Sequence, residues 1–178
     1  MANPYHLSSD APVFGRLRQR KHVSVLFVCL GNICRSPAAE GIMQSIVDEH
    51  DAEARWTVDS AGIGGWHVGD LPDSRMRLHG RRRGYNFVHR CRQVRPSDFD
   101  NFDLIIGMDN NNIAELRRLA PTPQDEEKIL RMAAFLPQSC ALDYVPDPYY
   151  EGADGFELVL DLLQDACHNL YNCLTPKA

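Results

Sequence analysis

The residues with the most chemistry to offer stand together near the start of the chain, in Cys29-Leu30-Gly31-Asn32-Ile33-Cys34-Arg35-Ser36. Gly31 and Asn32 are the residue types that enter tight or left-handed backbone most readily. No Gly-Lys-Ser/Thr closes the segment, and the dinucleotide Gly-x-Gly-x-x-Gly pattern is absent, so neither nucleotide motif applies. The physics still points to an anion. A loop curling into a helix N-terminus aims several backbone N–H groups at one centre, and the helix end adds about half a positive charge. Arg35 contributes a planar fork of donors that matches phosphate oxygens bidentately. The same field favours the thiolate of Cys29, with Ser36 placed to donate to its sulfur. A nucleophile and an oxyanion clamp in one loop are what covalent phosphoryl transfer requires.

Attack on a phosphoester also needs an acid for the leaving oxygen. Asp147 is the candidate, in Val145-Pro146-Asp147-Pro148-Tyr149-Tyr150. Two prolines hold the backbone extended, and a loop suits a residue that must reach across a cleft. By itself, an aspartate between prolines is equally at home in a turn. Tyr149 and Tyr150 either pack on the last helix or wall a slot for a flat ring, and Trp66 is a candidate for the opposite wall. A zinc site on Cys29, Cys34, His89 and Cys91 is disfavoured, because no Cys-x-x-Cys pair exists and Arg35 would face the cation. The chemistry calls for neither metal nor cofactor.

These groups must be positioned by elements. Val23–Val28 is β-branched and aromatic and reads as a buried strand that delivers Cys29 to the loop. Ser36 looks like the cap of a helix with Pro37 in its first turn and an apolar stripe through Ala38, Ile42, Ile46 and Val47. Residues 56–60 and 102–108 are further strand candidates, and 128–136 is ambiguous between strand and helix. Ser74–Arg83 reads as a helix stopped by Gly84. Asp109 caps a helix closed by Pro121, and Phe156–Leu174 is amphipathic. Strands alternating with helices imply one α/β domain whose parallel sheet is covered on both faces, with ligands at the carboxyl ends of the strands.

Composition agrees. The chain has 178 residues, 44% hydrophobic and 24% charged, which fits one globular domain. No apolar run approaches the roughly 20 residues needed to span a bilayer, so no membrane association is expected. With 24 acids against 19 bases, the formal charge of -5 argues against nucleic acid as a partner. Six cysteines are too sparse for a disulfide scaffold. Residues 1–21 lack the apolar core of a secretory signal, which makes a reducing cytoplasm the expected compartment. They read as a poorly ordered leader, the basic cluster Arg16, Arg18, Arg20 and Lys21 included, ahead of a domain over 22–178.

Taken together, VLFVCLGNICRSPAAE resembles the signature of the low-molecular-weight protein tyrosine phosphatases. The similarity continues through Asp59-Ser60-Ala61-Gly62, Trp66-His67-Val68-Gly69, Asp73-Ser74-Arg75, Arg92-Gln93-Val94, Gly107-Met108-Asp109 and Asp147-Pro148-Tyr149-Tyr150. This resemblance implies a central parallel four-stranded sheet with helices on both faces. It implies metal-independent hydrolysis of phosphotyrosine in proteins through a cysteinyl phosphate on Cys29. Arg35 and the loop residues Leu30, Gly31, Asn32, Ile33, Cys34 and Ser36 would hold the phosphate, and Asp147 would act as general acid. Ser60 and His89 would join Asn32 and Ser36 in a supporting network, with Trp66, Tyr149 and Tyr150 around the substrate. Cys34 would guard Cys29 through a reversible disulfide. The partners implied are phosphotyrosine-containing proteins, met by a monomer or weak dimer.

The chain departs from the family pattern at Asn110-Asn111-Asn112 and in its longer lead before the first strand. Three alternatives compete. Related arginine phosphatases carry threonine where this chain has Ile33. Thioredoxin-coupled arsenate reductases need relay cysteines, and the tyrosine-rich acid loop argues against them. A phosphoprotein-binding module without chemistry has no use for Cys29, Arg35, Ser36 and Asp147 together.

Overall fold

The computed structural model describes residues 1–177. Every position of the first strand, β1 (Val23–Cys29), is buried. A strand of continuous apolar and small residues belongs inside a parallel sheet with both faces covered. β1 pairs in parallel with β2 (Trp56–Gly62) on one side and β3 (Leu104–Gly107) on the other, and β3 pairs with β4 (Ile129–Arg131). Among the described residues the order is β2-β1-β3-β4. The sheet is therefore the four-stranded parallel one expected.

Alternate residues of β1 feed two cores. Val23, Val25 and Phe27 face the larger one, with α1 (Pro12–Arg18), α2 (Arg35–Glu49) and α7 (Ala153–Leu174). Leu26 and Val28 face the other, with Phe99 of α4 (Asp98–Asn101), Phe102 and Leu116 of α5 (Asn110–Leu119). The chain also forms α3 (Ser74–Arg82) and α6 (Pro123–Glu126). The ambiguous 128–136 stretch divides into β4 and a 3-10 turn over Met132–Phe135. No helix among the described residues is long and apolar enough to cross a membrane.

Two expectations need correction. The leader is docked rather than loose. Phe14 on α1 is fully buried with its ring 5.7 Å from that of Phe135, and Leu17 lies one turn on. Arg18, far from being a free basic arm, donates through Nε to the Cys173 carbonyl at the end of α7. The helix after the loop also begins two residues earlier than read, with Cys34 at the cap position and Arg35 as its first residue. Ser36 is then inside the first turn, and its hydroxyl is free to turn back toward Cys29.

The strand order reverses direction between β1 and β3, so their carboxyl ends open a crevice at the switch point. Cys29 ends one of these strands, and Asp109 follows closely on the other.

Candidate active site

Cys29 lies opposite Gly62 in the β1–β2 register. A Cβ at Gly62 would sit 2.9 Å from the Gly31 carbonyl carbon and 3.0 Å from the Asn32 nitrogen. Only glycine lets the end of β2 approach the loop so closely. Past Gly62 the chain stays bonded to the loop, as Ile63 N–H donates to Cys29 C=O and Gly64 N–H to Leu30 C=O, both at 2.9 Å.

Asn32 turns the loop with φ 58°, the left-handed conformation that asparagine tolerates. Its side chain is fully buried and fully used. Nδ2 donates to Ser36 Oγ at 2.9 Å and to Ser60 Oγ at 3.0 Å. Oδ1 accepts from the Arg92 amide at 3.0 Å and faces His89 Nε2 at 3.0 Å. The Arg92 contact fixes Oδ1 as an acceptor, so His89 must carry its proton on Nε2. Cys91 adds a donor behind the loop, its thiol bonding Asn32 C=O at 2.8 Å.

Ser36 Oγ lies 3.0 Å from Cys29 Sγ and 3.3 Å from Ala61 C=O. A hydroxyl has one proton to give. With Cys29 as a thiol, sulfur can donate to Ser36, which passes its own proton to Ala61. With Cys29 as a thiolate, Ser36 must donate to sulfur. The network thus accommodates both forms without moving a heavy atom.

Arg35 is 2% exposed. Its Nη1 donates to Asp109 Oδ2 at 2.6 Å and to Val145 C=O at 3.1 Å, while Nη2 is 3.5 Å from Asp147 Oδ2. Its Nε is buried with no protein partner. Burial opposes the Arg35 charge, but Cys29, Asp109 and Asp147 together outweigh it and raise the pKa. Asp109, read from sequence as a cap, does two jobs. Its Oδ1 accepts from Asn112 N–H at 2.9 Å in a capping box, and its Oδ2 aims the arginine.

Asp147 is half exposed, and its Oδ1 accepts from Tyr149 N–H at 3.1 Å, which fixes the carboxylate over the crevice. Tyr149 and Tyr150 meet edge to face, with ring centroids 4.9 Å apart. Arg75 braces Tyr149 from behind, 5.3 Å from its ring centre. The result is a cleft of about 240 Å³ with Cys29 at its floor. Leu30, Gly31, Ile33, Cys34 and Arg35 form the base, while Trp66, Asp147, Tyr149 and Tyr150 stand around the mouth. Asn32, Ser36, Ser60 and His89 lie behind the loop instead. His67 also lines the cleft.

Burial, reinforced by Asp73 and Cys29, pushes the Cys34 thiol far up. Burial likewise pushes Cys91 up, to about 11, with help from Asp70 and Cys29. Both are thiols at neutral pH.

Glu40, Asp59 and His89 converge behind the loop in a grouping that could hold a cation. Their atoms are already engaged. His89 Nδ1 is 3.1 Å from Glu40 Oε1. Arg92 reaches Asp59 Oδ2 through Nε at 3.1 Å and Nη2 at 3.0 Å. Burial raises the Glu40 carboxyl pKa, the His89 contact pulls it back, and Asp59 pushes it up further. A metal would have to displace the arginine and the His89–Glu40 contact, so this cluster is read as internal support. Arg92, Glu40, Asp59, Cys91 and the Val145 carbonyl are given no role in the network by sequence, because each joins it only through tertiary contact.

Comparison with known proteins now adds to the geometry. Residues 24–178 match the family model for low molecular weight phosphotyrosine protein phosphatase. A low molecular weight protein-tyrosine-phosphatase of Bacillus subtilis is 44% identical over 149 residues, 83% of this chain and 93% of that protein. A crystal structure of an Entamoeba histolytica protein tyrosine phosphatase, with Hepes in its active site, superposes with TM-score 0.79 at 47% identity, covering 83% of this chain and 94% of that one. A Drosophila arginine phosphatase superposes with TM-score 0.78 at 32% identity, covering 86% of this chain and 99% of that one.

Proposed function

The chain belongs to the low molecular weight phosphotyrosine protein phosphatase family, and from that premise we propose that it hydrolyses phosphotyrosine in proteins through a phosphocysteine at Cys29, with Asp147 as general acid. The observation that carries the reading is the meeting of Cys29, a buried Arg35 with an unpartnered Nε, and Asp147 at one cleft.

In the first step Cys29 sulfur attacks phosphorus and the bond to the tyrosyl oxygen breaks. The Asp147 carboxylic acid gives its proton to that departing oxygen. Arg35 and the loop amides hold the three remaining oxygens, whose charge they match better in the transition state than in the substrate. Water then attacks the phosphocysteine. The Asp147 carboxylate takes the water proton, phosphate leaves, and sulfur departs as the thiolate that Ser36 can solvate. Neither step needs a metal or cofactor. Trp66, Tyr149 and Tyr150 suit a flat phenyl ring, and the apolar Ile33 in the cleft base favours it over a guanidinium group. Cys34, in the same cleft, would attack an oxidised Cys29 sulfenic acid, releasing water and sealing a reversible disulfide.

The test is hydrolysis of p-nitrophenyl phosphate and a phosphotyrosine peptide, in EDTA, by wild type and Cys29→Ser. Wild type should turn over both, and the variant should lose essentially all activity. Turnover by Cys29→Ser, or its abolition by EDTA in wild type, would sink the mechanism. A phosphoarginine peptide assayed alongside, given the likeness to the Drosophila enzyme, should be the poorer substrate.

A further inference from the structure

The chain ahead of β1 lies outside the residues shared with the family model, which begin at Ser24. It nevertheless reaches the neighbourhood of the active site. Asn3-Pro4-Tyr5-His6 makes a tight turn, with Asn3 Oδ1 accepting from Tyr5 N–H at 3.0 Å and Asn3 C=O from His6 N–H at 3.4 Å. Asparagine followed by proline is suited to open such a turn.

This turn lies along the segment that runs from β4 to the acid loop. Asn3 Nδ2 donates to Ala133 C=O at 2.7 Å, and Asn3 N–H to Gln138 C=O at 2.9 Å. His6 Nδ1 donates to Leu136 C=O at 2.8 Å, and Leu7 N–H to Ala134 C=O at 2.9 Å. Asn3 is itself 5% exposed, so its amide is committed to these contacts. The Tyr5 ring lies under the Arg131 guanidinium at 4.3 Å, and Arg131 donates to Asn110 Oδ1, beside the Asp109 that aims Arg35.

Between β4 and Asp147 the backbone holds only the Met132–Phe135 turn, so tethers rather than regular structure decide where Asp147 stands. Downstream, Val145 N–H bonds Met108 C=O at 2.9 Å and Val145 C=O accepts from Arg35. Upstream, Asn169 holds Phe135 C=O, and side chains of the N-terminal turn hold Ala133 and Leu136 C=O. We infer that Asn3, Tyr5 and His6 are positioning residues for the general acid, forming a strap ahead of the family-matched residues that fixes the base of the acid loop.

The inference rests on the phosphatase reading, and its test separates the two. The full-length double variant Asn3→Ala/His6→Ala and the single variant Tyr5→Ala are assayed for kcat/KM on phenyl phosphate and on 2,4-dinitrophenyl phosphate. Phenolate needs a proton to leave, whereas dinitrophenolate does not. General acids supply roughly 100- to 10,000-fold, so a displaced Asp147 should cost about tenfold on phenyl phosphate. The dinitrophenyl ester should stay within about twofold, and Tyr5→Phe, which keeps the ring under Arg131, should restore the phenyl phosphate rate. An equal loss on both esters would mean a structural role only, and no loss on either would remove the strap from catalysis. Both overturn the inference. Failure of wild type to hydrolyse either ester through Cys29 would instead overturn the phosphatase reading.

Discussion

At the scale of single residues, Asp109 shows how one carboxylate divides between folding and function. One oxygen caps α5 and the other aims Arg35. Asp109→Asn separates the two, since an amide oxygen can still cap while the charge-assisted bond is lost. The cap itself should be kept to within about 0.5 kcal/mol, because asparagine caps as well as aspartate, so any larger loss in urea unfolding reports the broken pair with buried Arg35. kcat/KM should fall about tenfold, the worth of one bond to a charged group. An unchanged kcat/KM would assign Asp109 to the cap alone. Cys29, Arg35 and Ser36 stand out from residue type and spacing because one short loop keeps them adjacent in the chain, whereas Asp147 is singled out only with the family resemblance. Asp109 was legible only as a cap, because its second partner, Arg35 of α2, is brought to it only by the fold.

At the scale of elements, β1, α2 and α7 could be read in advance because each is long enough to show its period. α4 and α6 have four residues each, too few for periodicity to register. α1 has seven and contains both Pro12 and Gly15, which hides a two-residue apolar face. That face matters. Phe14 is wholly buried between α7 and the turn holding Phe135. Phe14→Ala should destabilise the protein by about 3–5 kcal/mol, measured by urea unfolding, as deletion of a buried phenyl ring does elsewhere. A cost below about 1 kcal/mol would restore the picture of a loose leader.

At the scale of the whole molecule, α3 is fastened to α7 by ions. His79 Nδ1 is 2.6 Å from Glu157 Oε1, Arg83 pairs with the other oxygen, and Arg83 Nη1 reaches Asp161 at 2.7 Å. Hydrogen bonds from Arg83 and then His79 hold the Glu157 carboxyl below its ordinary 4.5. A depressed folded value means the unfolded chain binds the proton more tightly. Stability from this group is therefore complete above about pH 4.5 and lost as pH falls through the lower folded value. Glu157→Gln should flatten the acid limb of a stability–pH curve between about pH 5 and 3 while leaving neutral activity unchanged. The test is thermal melting across that range, and an unchanged acid limb would show that the tie carries no pH dependence. Exposure keeps the effect small, since solvent screens such pairs.

The bonds from Asn3 and His6 to residues past 130, and from Arg35 to Val145, have a consequence for synthesis. A ribosome makes the chain from its amino end, and domains settle as units once their parts have emerged. Cys29 and Arg35 leave the exit tunnel early. Asp109, Val145 and Asp147 follow only when most of the chain has been translated, and the strap at the very start waits for its partners until then. A nascent chain thus carries Cys29 and Arg35 well before Asp109, Val145 and Asp147 have emerged to meet them, so the cleft closes late in synthesis and from distant parts of the chain.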